Sequence, residues 1–218
     1  MAKQYGFYID TDRCVQCHAC EVACKSWNGI EPGIRWRRVL DVWRGQFPKV
    51  TNQTISYSCM HCEKPACVQI CPEQAISKRT EDGIVVVNQR KCVGCQSCAK
   101  ACPFHIPQYG KAKVMQKCDL CLERLGQGKQ PSCVATCPGE ALKFGTLEDL
   151  TKMSAAKVAQ RLSATTAPVF FYFRQNDRNG RPRAAKFRQV KRGESASKEG
   201  FLRKLLFFPL DIKGFDRV

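Results

Sequence analysis

The chain has 218 residues, 16 cysteines and a formal charge of +17, a length that suits one large or two small domains. The longest apolar runs, VFFYF near Val169 and LLFFPL near Leu205, fall far short of the roughly 20 residues of a membrane helix, so no span is expected. The basic excess is concentrated late, with 16 Lys and Arg against 5 Asp and Glu from Leu150 to Val218, which suits an acidic partner or an anionic membrane surface better than nucleic acid.

In chain order, MAKQYGFYIDTDRC shows no apolar h-region and no cleavage site, and Arg37-Arg38 lies too deep for an export signal. A cytoplasmic protein with reduced thiols is expected, or one exported folded with a signal-bearing partner and peripheral to the membrane. GFYID reads as a strand, and CVQCHACEVACK then places Cys14, Cys17, Cys20 and Cys24 at steps of three, three and four. RWRRVLDVW is a strand expected to pair with TISYS. CMHCEKPACVQICP supplies Cys59, Cys62, Cys67 and Cys71. A short strand near Ala75 to Lys78, a turn at Glu81-Asp82-Gly83 and the β-branched strand Ile84 to Val87 predict a hairpin. CVGCQSCAKACP supplies Cys92, Cys95, Cys98 and Cys102, and CDLCLERLGQGKQPSCVATCP supplies Cys118, Cys121, Cys133 and Cys137. After the strand ALKFG, the segment TLEDLTKMSAAKVAQRL has helical spacing of Leu147, Leu150, Met153 and Val158. APVFFYFRQNDRNGRPRAAKFRQV reads as a hairpin turning at Asn176 to Gly180. FLRKLLFFPLDIKGF suits packing on the core or a partner, with membrane-surface contact as a second reading.

Disulfides, zinc and iron-sulfur clusters compete for these thiols. Disulfides require an oxidising compartment that nothing here indicates. Zinc suits the last quartet taken alone. The C-x2-C-x2-C-x3-C spacing of the first and third quartets, with Pro72, Pro103 and Pro138 closing three of the four, is that of two-cluster ferredoxins. In that arrangement three thiols of a run cup one cube and the fourth completes its neighbour.

The flanks pair the runs. The Ala75–Val87 hairpin joins the second and third quartets, whereas GFYID and ALKFG, paired as strands, would close a module from the outer two. The expectation is an α+β fold of two interlocked bacterial-ferredoxin-like modules plus a basic C-terminal extension. Residues 1–55 and 112–146 form the outer module, 56–111 the inserted inner one and 147–218 the extension of helix, hairpin and docking tail. Four 4Fe-4S clusters follow. Cys14, Cys17 and Cys20 take Cys137; Cys118, Cys121 and Cys133 take Cys24; Cys59, Cys62 and Cys67 take Cys102; Cys92, Cys95 and Cys98 take Cys71. At roughly −2 for each cube with its thiolates, the cysteine-rich part is near neutral.

QYGFYIDTDRC, SCMHCEKPACVQICP, DGIVVV, CVGCQSCAKACPFHIPQYG and KCDLCLERLGQGKQPSCVATCP resemble the four-cluster iron-sulfur subunit of the dimethyl sulfoxide reductase family of molybdenum and tungsten oxidoreductases. The resemblance covers roughly residues 4 to 146. It implies a large catalytic partner with a bis(pyranopterin guanine dinucleotide) cofactor, and a quinone-reactive membrane subunit or another redox carrier. Cys95 stands where nitrate reductase relatives carry Trp, which implies a full cubane. The resemblance also orders the relay, with the Cys14 set facing the catalytic subunit and the Cys92 set farthest from it. Service to a hydrogenase, formate dehydrogenase or nitrite reductase system is the alternative. A third reading makes the clusters mainly structural in a complex of net non-redox chemistry.

No nucleophile-base pair, phosphate loop or substrate-pocket motif stands out, so no catalytic site is expected in this chain. His18 and His61 read as surface residues of their cysteine loops, with donation to a cluster as the functional alternative. His105 follows the third run, a place near the distal cluster and a quinone. Trp36 and Trp43 read as core or interface residues. Lys25 replaces the closing proline of the first run, and its charge is expected nearer the Cys118 cluster than its own.

Overall fold

The computed structural model describes residues 3–44, 46–156, 160–161 and 170–173. It is a mixed α+β fold of short elements between long loops. The first half contains β1 (Tyr5–Asp10), α1 (Ala19–Trp27), β2 (Arg38–Arg44), β3 (Thr51–Tyr57), α2 (Ala66–Gln69), β4 (Ile76–Lys78) and β5 (Val85–Val87). Then come α3 (Ser97–Ala101), β6 (Gln108–Tyr109), β7 (Met115–Gln116), α4 (Leu122–Gly126) and α5 (Ser132–Ala135). The chain continues through β8 (Leu142–Thr146), α6 (Leu147–Ala156), β9 (Gln160–Arg161) and β10 (Phe170–Phe173).

Strand β1 organises the first sheet, whose order is β8-β1-β10-β9. It runs antiparallel to β8 with Phe7 opposite Phe144, and parallel to β10 with Phe7 opposite Phe170. Successive side chains of a strand point to opposite faces. Phe7 and Ile9 therefore enter the main core with Ile84, Leu120 and Leu142, while Tyr8 turns the other way to pack with Leu150 of α6. The pairing of GFYID with ALKFG is thus present, and so are the β2–β3 and β4–β5 hairpins. The expected helix covers Leu147–Ala156. Phe170–Phe173 forms a strand whose described partners are β1 and β9. The Asn176–Gly180 turn and the FLRKLLFFPLDIKGF tail lie outside the described residues.

Side chains tie the loops to these strands. Glu31 accepts hydrogen bonds from the Lys111 amide at 3.0 Å and the Gln116 side chain at 2.9 Å. Gln108 accepts from the Arg35 amide and donates to the Arg35 carbonyl. The segment 28–38 is thereby fixed against β6 and β7. Trp36 packs in the core, and Trp43 is 62% exposed, which excludes the core reading for Trp43. Among the described residues no helix is long and apolar enough to cross a membrane.

Candidate iron-sulfur centres

The cysteine loops share a backbone device. The residue before the second thiol of each run has a left-handed conformation: Gln16 at φ 60°, His61 at 40°, Gly94 at 70° and Leu120 at 61°. His18 and Gln96, one residue beyond the second thiol of their runs, are left-handed too. A left-handed residue at such a place lets successive N–H groups form a concavity, a geometry that favours anions and recurs at iron-sulfur sites. A matching turn follows the runs that end in Cys-Pro. Gln74, His105 and Glu140, each three residues past the last thiol, are left-handed and donate their amides to the carbonyls of Cys71, Cys102 and Cys137. His105 thus occupies a structural turn repeated in the other two runs.

The cavities separate the thiols of one run. Cys20 and Cys24 lie one turn apart on α1, about 6 Å along its axis and on one face. Cys20 lines a cavity with Cys14, Cys17 and Cys137, while Cys24 is absent from it. A second cavity is lined by Cys71, Cys92, Cys95 and Cys98. Each cavity therefore joins three thiols of one run to one of another. The remaining thiols are grouped by their mutual electrostatic influence, Cys24 with Cys133, Cys121 and Cys118, and Cys67 with Cys59, Cys102 and Cys62. Cys24, Cys118, Cys121 and Cys133 are all buried, whereas Cys17 and Cys95 are exposed.

Burial pushes the thiols of Cys24 and Cys67 up to about 12 and that of Cys102 to about 11. As free thiols they are protonated and neutral, and binding metal requires their deprotonation. Donors to sulfur are in place: the Ala75 amide reaches Cys71 Sγ at 3.3 Å, the Met115 amide Cys92 at 3.4 Å and the Leu120 amide Cys118 at 3.4 Å. Hydroxyls add to them, with Tyr109 Oη 3.0 Å from Cys98 Sγ and Ser56 Oγ 3.4 Å from Cys20 Sγ. Among the described residues no three His, Cys, Asp or Glu side chains converge closely enough to hold a single metal ion. The four cysteines that line each cavity match in number the four-thiolate ligation of an iron-sulfur cluster.

His61 departs from the surface reading, whereas the His18 side chain is 40% exposed. His61 is 1% exposed and Nδ1 accepts the Val85 amide at 3.0 Å. Burial, with Lys117 and Lys78 beside it, holds its pKa well below the ordinary value. His18 lines the first cavity, but its ring is held by Glu21 at 3.0 Å and Asp41 at 3.4 Å. Lys25 donates to the carbonyls of Glu31 at 2.7 Å and Ile34 at 2.9 Å, and so staples the loop after α1. A cation that lies near the buried thiols Cys24, Cys118 and Cys133 is Arg37.

A model of the 4Fe-4S dicluster domain matches residues 50–147. The chain is 44% identical over 161 residues to the B subunit of anaerobic dimethyl sulfoxide reductase of Escherichia coli (strain K12), covering 70% of this chain and 78% of that one. The chain belongs to the iron-sulfur electron-transfer subunit family of dimethyl sulfoxide reductase-type enzymes. Similarity extends to the B subunit of polysulfide reductase of Wolinella succinogenes, 39% identical over 184 residues, with 78% of this chain and 94% of that one covered. The thiosulfate reductase electron transfer subunit PhsB of Salmonella typhi is 41% identical over 156 residues, covering 68% and 79%. The subunit is a non-catalytic iron-sulfur carrier that conducts electrons between the catalytic and membrane parts of an oxidoreductase.

Proposed function

We propose that the chain holds four 4Fe-4S clusters as a relay between a molybdopterin catalytic subunit and a quinone-reactive membrane subunit. The ligand sets are Cys14, Cys17, Cys20 with Cys137; Cys118, Cys121, Cys133 with Cys24; Cys59, Cys62, Cys67 with Cys102; and Cys92, Cys95, Cys98 with Cys71. The observation that carries the reading is the pair of cavities, each walled by three thiols of one run and the fourth of another. The thiols supply iron ligation, the loop amides and hydroxyls stabilise the negative sulfur, and burial keeps water from the Cys118 set.

The discontinuous outer module, 1–55 with 112–146, is supported by the β1–β8 pairing, and the inner module, 56–111, by the β4–β5 hairpin between its quartets. Exposed thiols at Cys17 and Cys95 suit the two sites where electrons enter and leave. The Cys14 site faces the catalytic subunit, and the Cys92 site faces the quinone side. Relatives named for dimethyl sulfoxide, thiosulfate and polysulfide support a sulfur compound as the substrate of that catalytic partner. The subunit sits at the membrane periphery, cytoplasmic or exported folded with a signal-bearing partner.

The test is purification of the native complex, assay of molybdenum and tungsten, and spectroscopy of each cluster while quinol or substrate is added. Four signals that change redox state are expected. Silence in every cluster would overturn the relay.

A further inference from the structure

Arg37 is 1% exposed, immediately ahead of β2, with its guanidinium over the Phe7 ring at 4.3 Å. Its hydrogen bonds go to hydroxyls: Nη1 donates to Ser56 Oγ at 3.0 Å and Nη2 to Ser58 Oγ at 3.1 Å. The Nε donor has no partner among the described residues. A buried guanidinium without a carboxylate is among the costliest groups a fold can hold, unless another anion lies beside it. What faces this one is sulfur, namely Cys133, Cys118, Cys20 and Cys24. Cys20 belongs to the first cavity, and the other three to the buried set.

Ser56 links the charge to the first cavity. Its oxygen accepts from Arg37, which leaves its hydrogen for Cys20 Sγ, 3.4 Å away. On the other side the guanidinium stands beside Cys133, with Cys24 and Cys118 within its electrostatic reach. Arg37 thus stands between two groups of ligands.

We propose that Arg37 is the shared counter-charge of the two outer clusters, a positioning residue that raises both reduction potentials together and damps their mutual repulsion. The inference rests on the ligand sets given above. When bound, each cluster supplies one-electron chemistry, its charge with four thiolates passing from about −2 to about −3 with no bond made or broken. Arg37 stabilises the more negative form on either side. It remains protonated throughout the working range, so it does this without taking up or releasing a proton. Burial leaves its field little screened, whereas the exposed basic residues of the chain act through solvent and salt. Were Arg37 only a clamp at the edge of the β2–β3 hairpin, its replacement would lower stability and leave potentials alone.

Redox titration of the full chain in its complex, followed by electron paramagnetic resonance, separates these roles. Dithionite supplies the electrons, and R37Q, R37K and S56A are compared with the parent. In R37Q the Cys14 and Cys118 clusters should each become at least tenfold harder to reduce, 59 mV for one electron. The Cys59 and Cys92 clusters should hold their potentials. R37K should stay nearer the parent, and S56A should lower the Cys14 cluster alone. Unmoved outer potentials in R37Q, or an equal fall in all four, overturns the proposal. Should R37Q fail to assemble, an unmoved Cys14 potential in S56A overturns it. A parent complex holding four clusters with unmoved potentials in the variants sinks only the role of Arg37. A parent lacking clusters on the outer sets sinks the ligand assignment as well.

Discussion

The Cys14 and Cys92 sites are built on one loop design and placed in different surroundings. Gln16 and His18 in the first, and Gly94 and Gln96 in the second, are left-handed at matching places. Cys17 and Cys95, the second thiols, are both exposed. Around the first site, the donor to sulfur is a serine hydroxyl polarised by Arg37. Around the second, backbone amides reach Cys71 and Cys92, and Tyr109 stands 3.0 Å from Cys98. Ser97 holds the Cys95 thiol below its ordinary pKa through a side-chain hydrogen bond. The spacing of the run sets the shape of the site, and the elements packed against it set its electrostatics.

The largest test of this comparison removes one borrowed thiol from each site. Cys137→Ser should cost the Cys14 cluster and spare the Cys92 cluster, with Cys71→Ser doing the reverse; iron analysis should show a loss of about a quarter in each. Loss of the cluster belonging to the run of the replaced cysteine would refute the exchange of ligands.

A second pair tests the matching packing of the two loops. A Cβ at Gly139 would run into the Arg13 carbonyl oxygen, and one at Gly94 into that of Lys113. Gly139→Ala should destabilise by roughly 1–3 kcal/mol through overpacking. Gly94→Ala carries in addition about 1 kcal/mol for its left-handed backbone, φ 70°. Thermal melts of the two variants check the order, and an unchanged midpoint in Gly94→Ala would contradict it.

Tyr109→Phe removes a donor from the second site alone. The Cys92 cluster should become harder to reduce by a few tens of millivolts, the equivalent of roughly 1 kcal/mol for one electron. A shift shared with the Cys14 cluster would dissolve the contrast between the sites. The smallest effect belongs to Lys25→Ala, which should cost about 1 kcal/mol of stability from the two lost carbonyl contacts. No potential should move, because the ammonium is engaged with Glu31 and Ile34.

The cysteine spacing disclosed the loops, and the flanking strands disclosed which ends of the chain meet. GFYID, ALKFG and the Ala75–Val87 hairpin were legible because short β-branched and aromatic runs beside turn residues have few other uses. Arg37 was less legible. Strand alternation puts it on the face of Val39, which is buried, yet nothing local marks a charge on that face as deliberate. His61 read as a surface residue because its partner, the Val85 amide, lies 24 residues away. Tyr109 carried no signal at all, since its contact with Cys98 depends on the turn after the third run.

By itself the sequence determined the chemistry of the centres, because thiol number and spacing are local and three thiols in one tight loop can cup one object. It also raised the expectation, from the ferredoxin-type spacing, that the fourth thiol of a run completes a neighbouring site. Only the tertiary structure decided which cation and which hydroxyls stand beside each set. Those contacts join residues far apart in the chain, such as Arg37 with Cys133 and Ser56 with Cys20. Burial makes them matter, since a charge withdrawn from water acts on its neighbours with little screening.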